Sequence, residues 1–339
     1  MKGNGANEMT NGPKQVSQVT VLVKKILAVD WISAVVALIL LFAIIGAVHP
    51  QFVSPTQIIN VLQQSVYGAI LAAGVAFLMT QGEIDLSVGG NYVLTMVVGS
   101  LLIQQGFNTW VAAGLALLVA VLVGAINAFI IQVIKIPGLI ATLGMGWVLH
   151  GMASALTGGR AVIGMPVTDS FFDILGGRTI LGVPVAIWFL VVLIGILTVV
   201  LRYTPFGYRV RQIGSNLDAA RFAGIPIGRT KTTAFLLCGL LAGVAGLLGL
   251  AYFTTGDPTA GSGLELFSAA GAVIGGNPLM GGTATIFGAG LGATLLNAVS
   301  IGLVYFNIPA IWSQFATGIV IIVAVSLDGL MRSRKNQIH

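Results

Sequence analysis

Long apolar runs alternate with short polar joints along the chain. The runs are too long and too uniform to be one face of soluble helices. Ten stand out, at 31–48, 58–80, 88–104, 109–134, 138–157, 184–201, 233–253, 264–276, 283–305 and 308–327. A helix needs about 20 residues to cross a bilayer, within a range of about 17–25. The eighth run is shorter than that and is expected to be a half-helix backed by protein. The pattern therefore predicts an all-α membrane protein of about ten transmembrane helices. A single transmembrane domain is expected over 31–327, with halves at 31–157 and 184–327, between polar tails at 1–30 and 328–339. The first 18 residues read as a disordered tail. The first apolar run begins too late and runs too long for a cleavable signal peptide.

Composition agrees. The chain is 56% hydrophobic and only 8% charged, where a soluble domain carries about 25% charged residues. Glycine is abundant, 46 of 339 residues, as suits close packing of membrane helices. The lone cysteine, Cys238, lies inside an apolar run. It permits no disulfide within the chain and no cysteine metal cluster. The net charge of +6 sits in the joints, so it reports topology and is no footprint for nucleic acid.

With the N-terminus placed inside, fourteen of the sixteen Lys and Arg residues fall on the inner side. Only Arg160 and Arg178 fall outside, balanced there by Asp169 and Asp173. The positive-inside rule thus favours ten spans with both termini cytoplasmic. The chain also repeats itself weakly. Ala73-Gly74-Val75-Ala76 recurs at 242–245, Asn127-Ala128 at 297–298 and Ile136-Pro137 at 308–309. The offset is 169, 170 and then 172 residues. Five spans per half would insert the halves in opposite orientations, an architecture of transporters.

The longest inner joint, 202–231, holds six basic residues and one acid, Asp218. Asn216 suits a helix N-cap, and Asp218 suits the positive end of the helix dipole. Leu217 to Ala223 supplies about two turns. Gly224 fits a left-handed stop, and Pro226 prevents continuation. Ala219 and Ala220 would leave a smooth surface, and Phe222 one apolar knob. Upstream, Thr204-Pro205 suits the start of another short helical turn. A folded basic loop is either a docking surface or a plain topological anchor.

Glu83 and Asp85 stand two apart at the inner end of the second run, followed by Ser87. They suit capping and loop structure, a proton or cation role, or contact with a partner. Asn60, Gln63, Gln64 and Tyr67 recur at i, i+3, i+4 and i+7 on one helical face. Amides there are costly against lipid and suit a sugar's hydroxyls, so this stripe is the expected substrate path. Leu71, Gly74 and Leu78 continue that face without polar atoms, as a narrow inner gate would. His49, His150 and His339 are scattered, and no metal-ligand spacing occurs. No G-x-x-x-x-G-K-[ST], G-x-S-x-G or H-E-x-x-H motif is present, so neither an ATPase nor a hydrolase is expected.

Three ordered motifs carry a family resemblance over about residues 30–330. They are Gly82-Glu83-Ile84-Asp85-Leu86-Ser87-Val88-Gly89; then Thr204 to Gly207 with Ile213 to Asn216, Ala219-Ala220 and Gly224-Ile225; and Glu265-Leu266 with Ala272 to Gly276 and Gly281-Gly282. They resemble the permease subunits of bacterial ATP-binding-cassette importers for simple sugars of the ribose, xylose, arabinose and galactose type. The resemblance implies a multi-pass protein of the bacterial inner membrane and a dimer of permeases, homo- or heteromeric. It also implies two cytoplasmic ATPase subunits and an extracytoplasmic sugar-binding protein. Residues 204–225 would be the coupling element, with Gly207, Gly214, Asn216, Ala219, Ala220, Phe222 and Gly224 as its candidate residues. The chain departs at Glu83, where a small residue is commoner, and at Asn277-Pro278-Leu279-Met280, where small polar residues are. Other readings are a secondary transporter driven by protons or sodium through Glu83 and Asp85, a permease for a sugar-derived signal such as an autoinducer, and a membrane scaffold. No cofactor is implied.

Overall fold

The computed structural model describes residues 31–312, 315–320, 322, 323 and 326. The tails expected at 1–30 and 328–339, and much of the tenth run, lie outside the described residues. Helices occupy the first nine runs. They are α1 (Ile32–Val48), α2 (Pro55–Thr80), α3 (Val88–Gln104), α4 (Thr109–Phe129), α5 (Gly138–Thr157), α7 (Val185–Tyr203), α10 (Ile227–Phe253), α11 (Leu264–Ile274) and α12 (Ile286–Tyr305). The stub α6 (Ser170–Phe172) and a two-strand hairpin at Thr179–Ile180 and Val183–Pro184 precede α7. Two further helices, α8 (Pro205–Ser215) and α9 (Leu217–Phe222), fill the long basic joint. Among the described residues, six helices are long and apolar enough to cross a membrane: α2, α4 with its continuation to Ile134, α5, α7, α10 and α12. Helices α1, α3 and α11 are shorter apolar pieces.

Local chemistry sets the helix starts. Ser54 caps α2, its hydroxyl accepting from the Gln57 amide, with Pro55 at the first position. Asn108 caps α4 through the Trp110 and Val111 amides. Thr285 caps α12 through the Gly288 amide. Proline at 137, 184 and 226 immediately precedes α5, α7 and α10.

Helices α2 and α10 form the centre. In its most apolar 18-residue window α2 is 89% buried, whereas α7 is only 22% buried; α7 lies on the outside of the bundle. The packing is reciprocal. Helix α2 lies against α12 and α11, and α10 lies against α4 and α3. Small residues permit the close approach. A Cβ on Gly239 of α10 would sit 2.6 Å from the Ala120 carbonyl of α4. The repeated Ala-Gly-Val-Ala stretches fall on α2 and α10 where these two helices meet. A Cβ on Gly74 would be 3.3 Å from Cys238 Sγ and 3.4 Å from the Leu241 side chain.

Candidate coupling site and substrate path

In the basic joint, Thr204 caps α8, its hydroxyl accepting from the Gly207 amide at 3.2 Å. The single turn expected at Thr204-Pro205 is therefore an 11-residue helix. Asn216 ends α8 and caps α9, its Oδ1 accepting from the Ala219 amide at 2.9 Å. The Gly224 amide donates to the Arg221 carbonyl, and the Ile225 amide to the Ala220 carbonyl. Gly224 has φ +75, which a side chain would strain. The two alanines do not share one outward face. Ala220 is buried, while Ala219 is exposed and Phe222 is 91% exposed. Ala220 holds α9 down, and Phe222 points away from it.

The three segments that carry the family resemblance meet at the C-terminal end of α2. The Thr80 carbonyl accepts from the Gly282 amide at 3.0 Å. A Cβ on Gly214 would collide with that same carbonyl. A Cβ on Gly281 would lie 3.2 Å from the Gly214 carbonyl oxygen and 3.0 Å from the Gly82 amide nitrogen. Gly207 is similarly close to the end of α7, where a Cβ would meet the Val200 and Leu201 carbonyls. Backbone thus touches backbone in a junction of α2, α8 and the loop 275–285. Asn277 braces that loop: its Nδ2 donates to the Ala272 and Thr285 carbonyls, and its Oδ1 accepts from the Thr285 amide. The departure from small polar residues at 277–280 thus includes a structural asparagine, followed by the exposed Leu279 and Met280.

The acidic motif is organised, with no open carboxylates. Asp85 is fully buried; its Oδ1 accepts from the Ser87 amide at 2.8 Å and the Ser87 hydroxyl at 2.6 Å. Asn127 Nδ2 reaches across from α4 to Ser87 Oγ at 2.7 Å. The Leu86 amide donates to Thr142 Oγ1 of α5 at 3.1 Å. Glu83 faces Lys231 of α10, with Nζ to Oε1 at 2.5 Å. No group of three or more His, Cys, Asp or Glu that could hold a metal occurs among the described residues.

The polar stripe of α2 divides. Asn60 and Gln64 are exposed, whereas Gln63 and Tyr67 are buried. Gln63 Nε2 donates to the Tyr67 hydroxyl at 3.4 Å. Gln63 Oε1 is buried with no partner among the described residues. The Tyr67 ring packs beside Tyr92, Tyr252 and Phe253, with centroids 6.5, 6.2 and 5.6 Å away. These three rings escaped the reading of the sequence; Tyr252-Phe253 at the end of an apolar run was the available signal. Leu71 and Leu78 are wholly buried, and Gly74 is packed against α10, so the face below Tyr67 is closed.

A family model described as "Branched-chain amino acid transport system / permease component" matches residues 57–325. The chain belongs to this family of membrane permeases. The permease is 31% identical over 301 residues to the ribose import permease protein RbsC of Haemophilus influenzae, covering 88% of this chain and 93% of that one. It is 34% identical over 301 residues to the autoinducer 2 import system permease protein LsrC of an Enterobacter species, covering 89% and 87%. A Sinorhizobium fredii protein named "Probable ABC transporter permease protein y4mJ" is 35% identical over 303 residues, covering 89% and 90%. No solved structure matches the chain. The permease is a multi-pass protein of the bacterial inner membrane.

Proposed function

We propose that this permease forms the translocation path of an ATP-driven importer for a simple sugar, with hydrolysis supplied by a separate cytoplasmic ATPase subunit. The observation that carries the reading is the junction at the C-terminal end of α2. There α8, the loop 275–285 and the turn at Gly82 meet, and α9 leads on from α8 with Phe222 exposed. A rigid, capped element with one exposed aromatic suits the receipt of a push from a partner. The name of the ribose import permease relative points to a simple-sugar cargo. An extracytoplasmic binding protein would deliver that cargo.

In this reading the spans number ten, both termini are cytoplasmic, and the halves are inverted repeats. Reciprocal packing supports the repeat: α2 against α11 and α12 mirrors α10 against α3 and α4. The cargo would pass beside Gln63 and Tyr67, where an unpaired amide oxygen and an aromatic wall suit a sugar's hydroxyls and apolar face. A second permease copy would cover Asn60 and Gln64, whose amides are costly against lipid. Autoinducer 2 is a second reading of the cargo, favoured by the LsrC relative at 34% identity. Coupling to protons or sodium is disfavoured, because Glu83 is paired with Lys231 and Asp85 is engaged by Ser87.

The test is reconstitution in liposomes. The chain alone hydrolyses no ATP and moves no sugar; with ATPase and binding protein it imports sugar on ATP. Sugar uptake by the chain alone down a proton gradient sinks the proposal. Competition between ribose and autoinducer 2 for ATP-driven uptake separates the two cargoes.

A further inference from the structure

Three ion pairs occur among the described residues. Two are solvent-exposed: Arg178–Asp173, with side chains 54% and 52% exposed, and Arg221–Asp218, at 68% and 79%. Such pairs contribute little to stability. Glu83–Lys231 differs, with side chains only 15% and 17% exposed. Removal of one partner from a buried pair strands the other charge, so this pair holds its two elements in fixed relation.

Those elements are informative. Lys231 sits in the first turns of α10, which begins at Ile227, just after the Gly224 stop of α9. Glu83 sits in the loop between α2 and α3. Its amide donates to the Leu78 carbonyl at the end of α2, and its carboxylate lies against Gly138, the first residue of α5. Two residues on, Asp85 and Ser87 set the start of α3. A second clamp lies beside the pair: Gln132 Nε2, beyond the end of α4, donates to Thr232 Oγ1 at 2.9 Å. The start of α10 is therefore tied to the ends of α2 and α4 and to the approaches of α3 and α5.

We infer that Glu83 and Lys231 are a positioning pair that carries displacement of α9 into the loop 81–87, and so into α2 and α3, the walls of the proposed cargo path. This rests on the importer reading above. The physical step is simple. Between Phe222 and Ile227 only a short turn intervenes, closed by the Gly224 and Ile225 amides, so a push on α9 reaches the first turn of α10. The largely shielded pair then makes the loop follow, because separating charges that are mostly screened from water is costly.

The test uses the full-length chain with its ATPase and binding protein in proteoliposomes. Sugar imported per ATP hydrolysed is measured for E83Q, K231Q and the charge swap E83K/K231E. Both single variants are expected to co-purify with the ATPase at wild-type yield and to keep its hydrolysis, while the ratio falls about fivefold or more, the lower bound of ordinary coupling energies. The swap is expected to recover most of the ratio. An unchanged ratio in both singles overturns the inference. So does a parallel fall of transport and hydrolysis, which marks a merely structural role. An assembled swap complex that remains uncoupled overturns it as well. If the single variants fail to assemble, the swap alone decides, since it retains both charges. Failure of the wild-type chain to bind any ATPase strikes the importer reading instead, and co-purification reports it separately.

Discussion

Gly214→Ala places one methyl group where there is no room for it. Gly214 lies in α8, and its Cβ would collide with the Thr80 carbonyl and stand 2.8 Å from the Gly282 amide nitrogen. Both obstacles are backbone, so no rotamer change relieves them. Overpacking costs about 1–3 kcal/mol. Wedging Gly282 from Thr80 also loses a 3.0 Å hydrogen bond, a further ~0.5–1.5 kcal/mol. Against these stands the helix gain of alanine over glycine, about 0.5–1 kcal/mol. The balance is a destabilisation of about 0.5–4 kcal/mol. Gly144→Ala in α5 is the control: a helical glycine with nothing within 4 Å of an added Cβ. Thermal unfolding in detergent, read by intrinsic fluorescence, compares the two. The expected order is Gly214→Ala below wild type, with Gly144→Ala at or above it. Gly214→Ala as stable as wild type would refute the contact between α2, α8 and the loop 275–285, and with it the junction on which the importer reading rests.

Phe222→Glu is expected to abolish co-purification of the ATPase while leaving membrane insertion and the unfolding temperature unchanged, because Phe222 is 91% exposed; wild-type yield of the complex would remove α9 from the dock. In the purified chain, with Cys238 replaced by alanine, cysteines at 60 and 64 should react quickly with a water-soluble thiol reagent and those at 63 and 67 slowly. During ATP-driven turnover 63 and 67 should become reactive, and persistent protection in every transport state would move the path elsewhere. The Asp169 carboxyl is held below the usual range, first by the Thr109 hydroxyl at 2.6 Å and then by the Phe171 amide. Its contribution to loop order is present above the ordinary carboxylate range and lost as pH falls through the depressed folded value. Emission from Trp110, whose Nε1 donates to Ser170, should therefore shift at low pH in a variant lacking the other tryptophans, and should not shift with Asp169→Asn.

The helical architecture was legible because span length and capping act locally. Nine apolar runs became helices, Asn216 and Thr204 cap through their side chains, and Gly224, lacking one, takes the left-handed stop. Pairing across the fold was not legible. Nothing in the sequence places Lys231 beside Glu83, 148 residues away, and the charged reading of Glu83 stayed open without that partner. Burial within one short helix was equally hidden, since Ala219 and Ala220 are chemically identical and only the seat of α9 on α8 distinguishes them. The stripe on α2 was read as one surface because helical spacing fixes angle; which part of that angle α3 and α10 cover depends on the tertiary arrangement.

The reciprocal packing of α2 with α12 has a bearing on synthesis. Ser65 of α2 meets Asn297 of α12 at 3.0 Å, and Asn297 also reaches the Val61 carbonyl. Helix α2 leaves the ribosome early, yet this polar partner follows only about 200 residues later, since α2 ends at Thr80 and α12 begins at Ile286. Until then the Ser65 hydroxyl is engaged only within α2, by the Val61 carbonyl, and α10 arrives to find its own partners, α3 and α4, already in place. The helices that precede α12 are therefore an unfinished object that lipid alone cannot complete. A chain that stops before α12 lacks the Asn297 amide that bonds the Ser65 hydroxyl and the Val61 carbonyl.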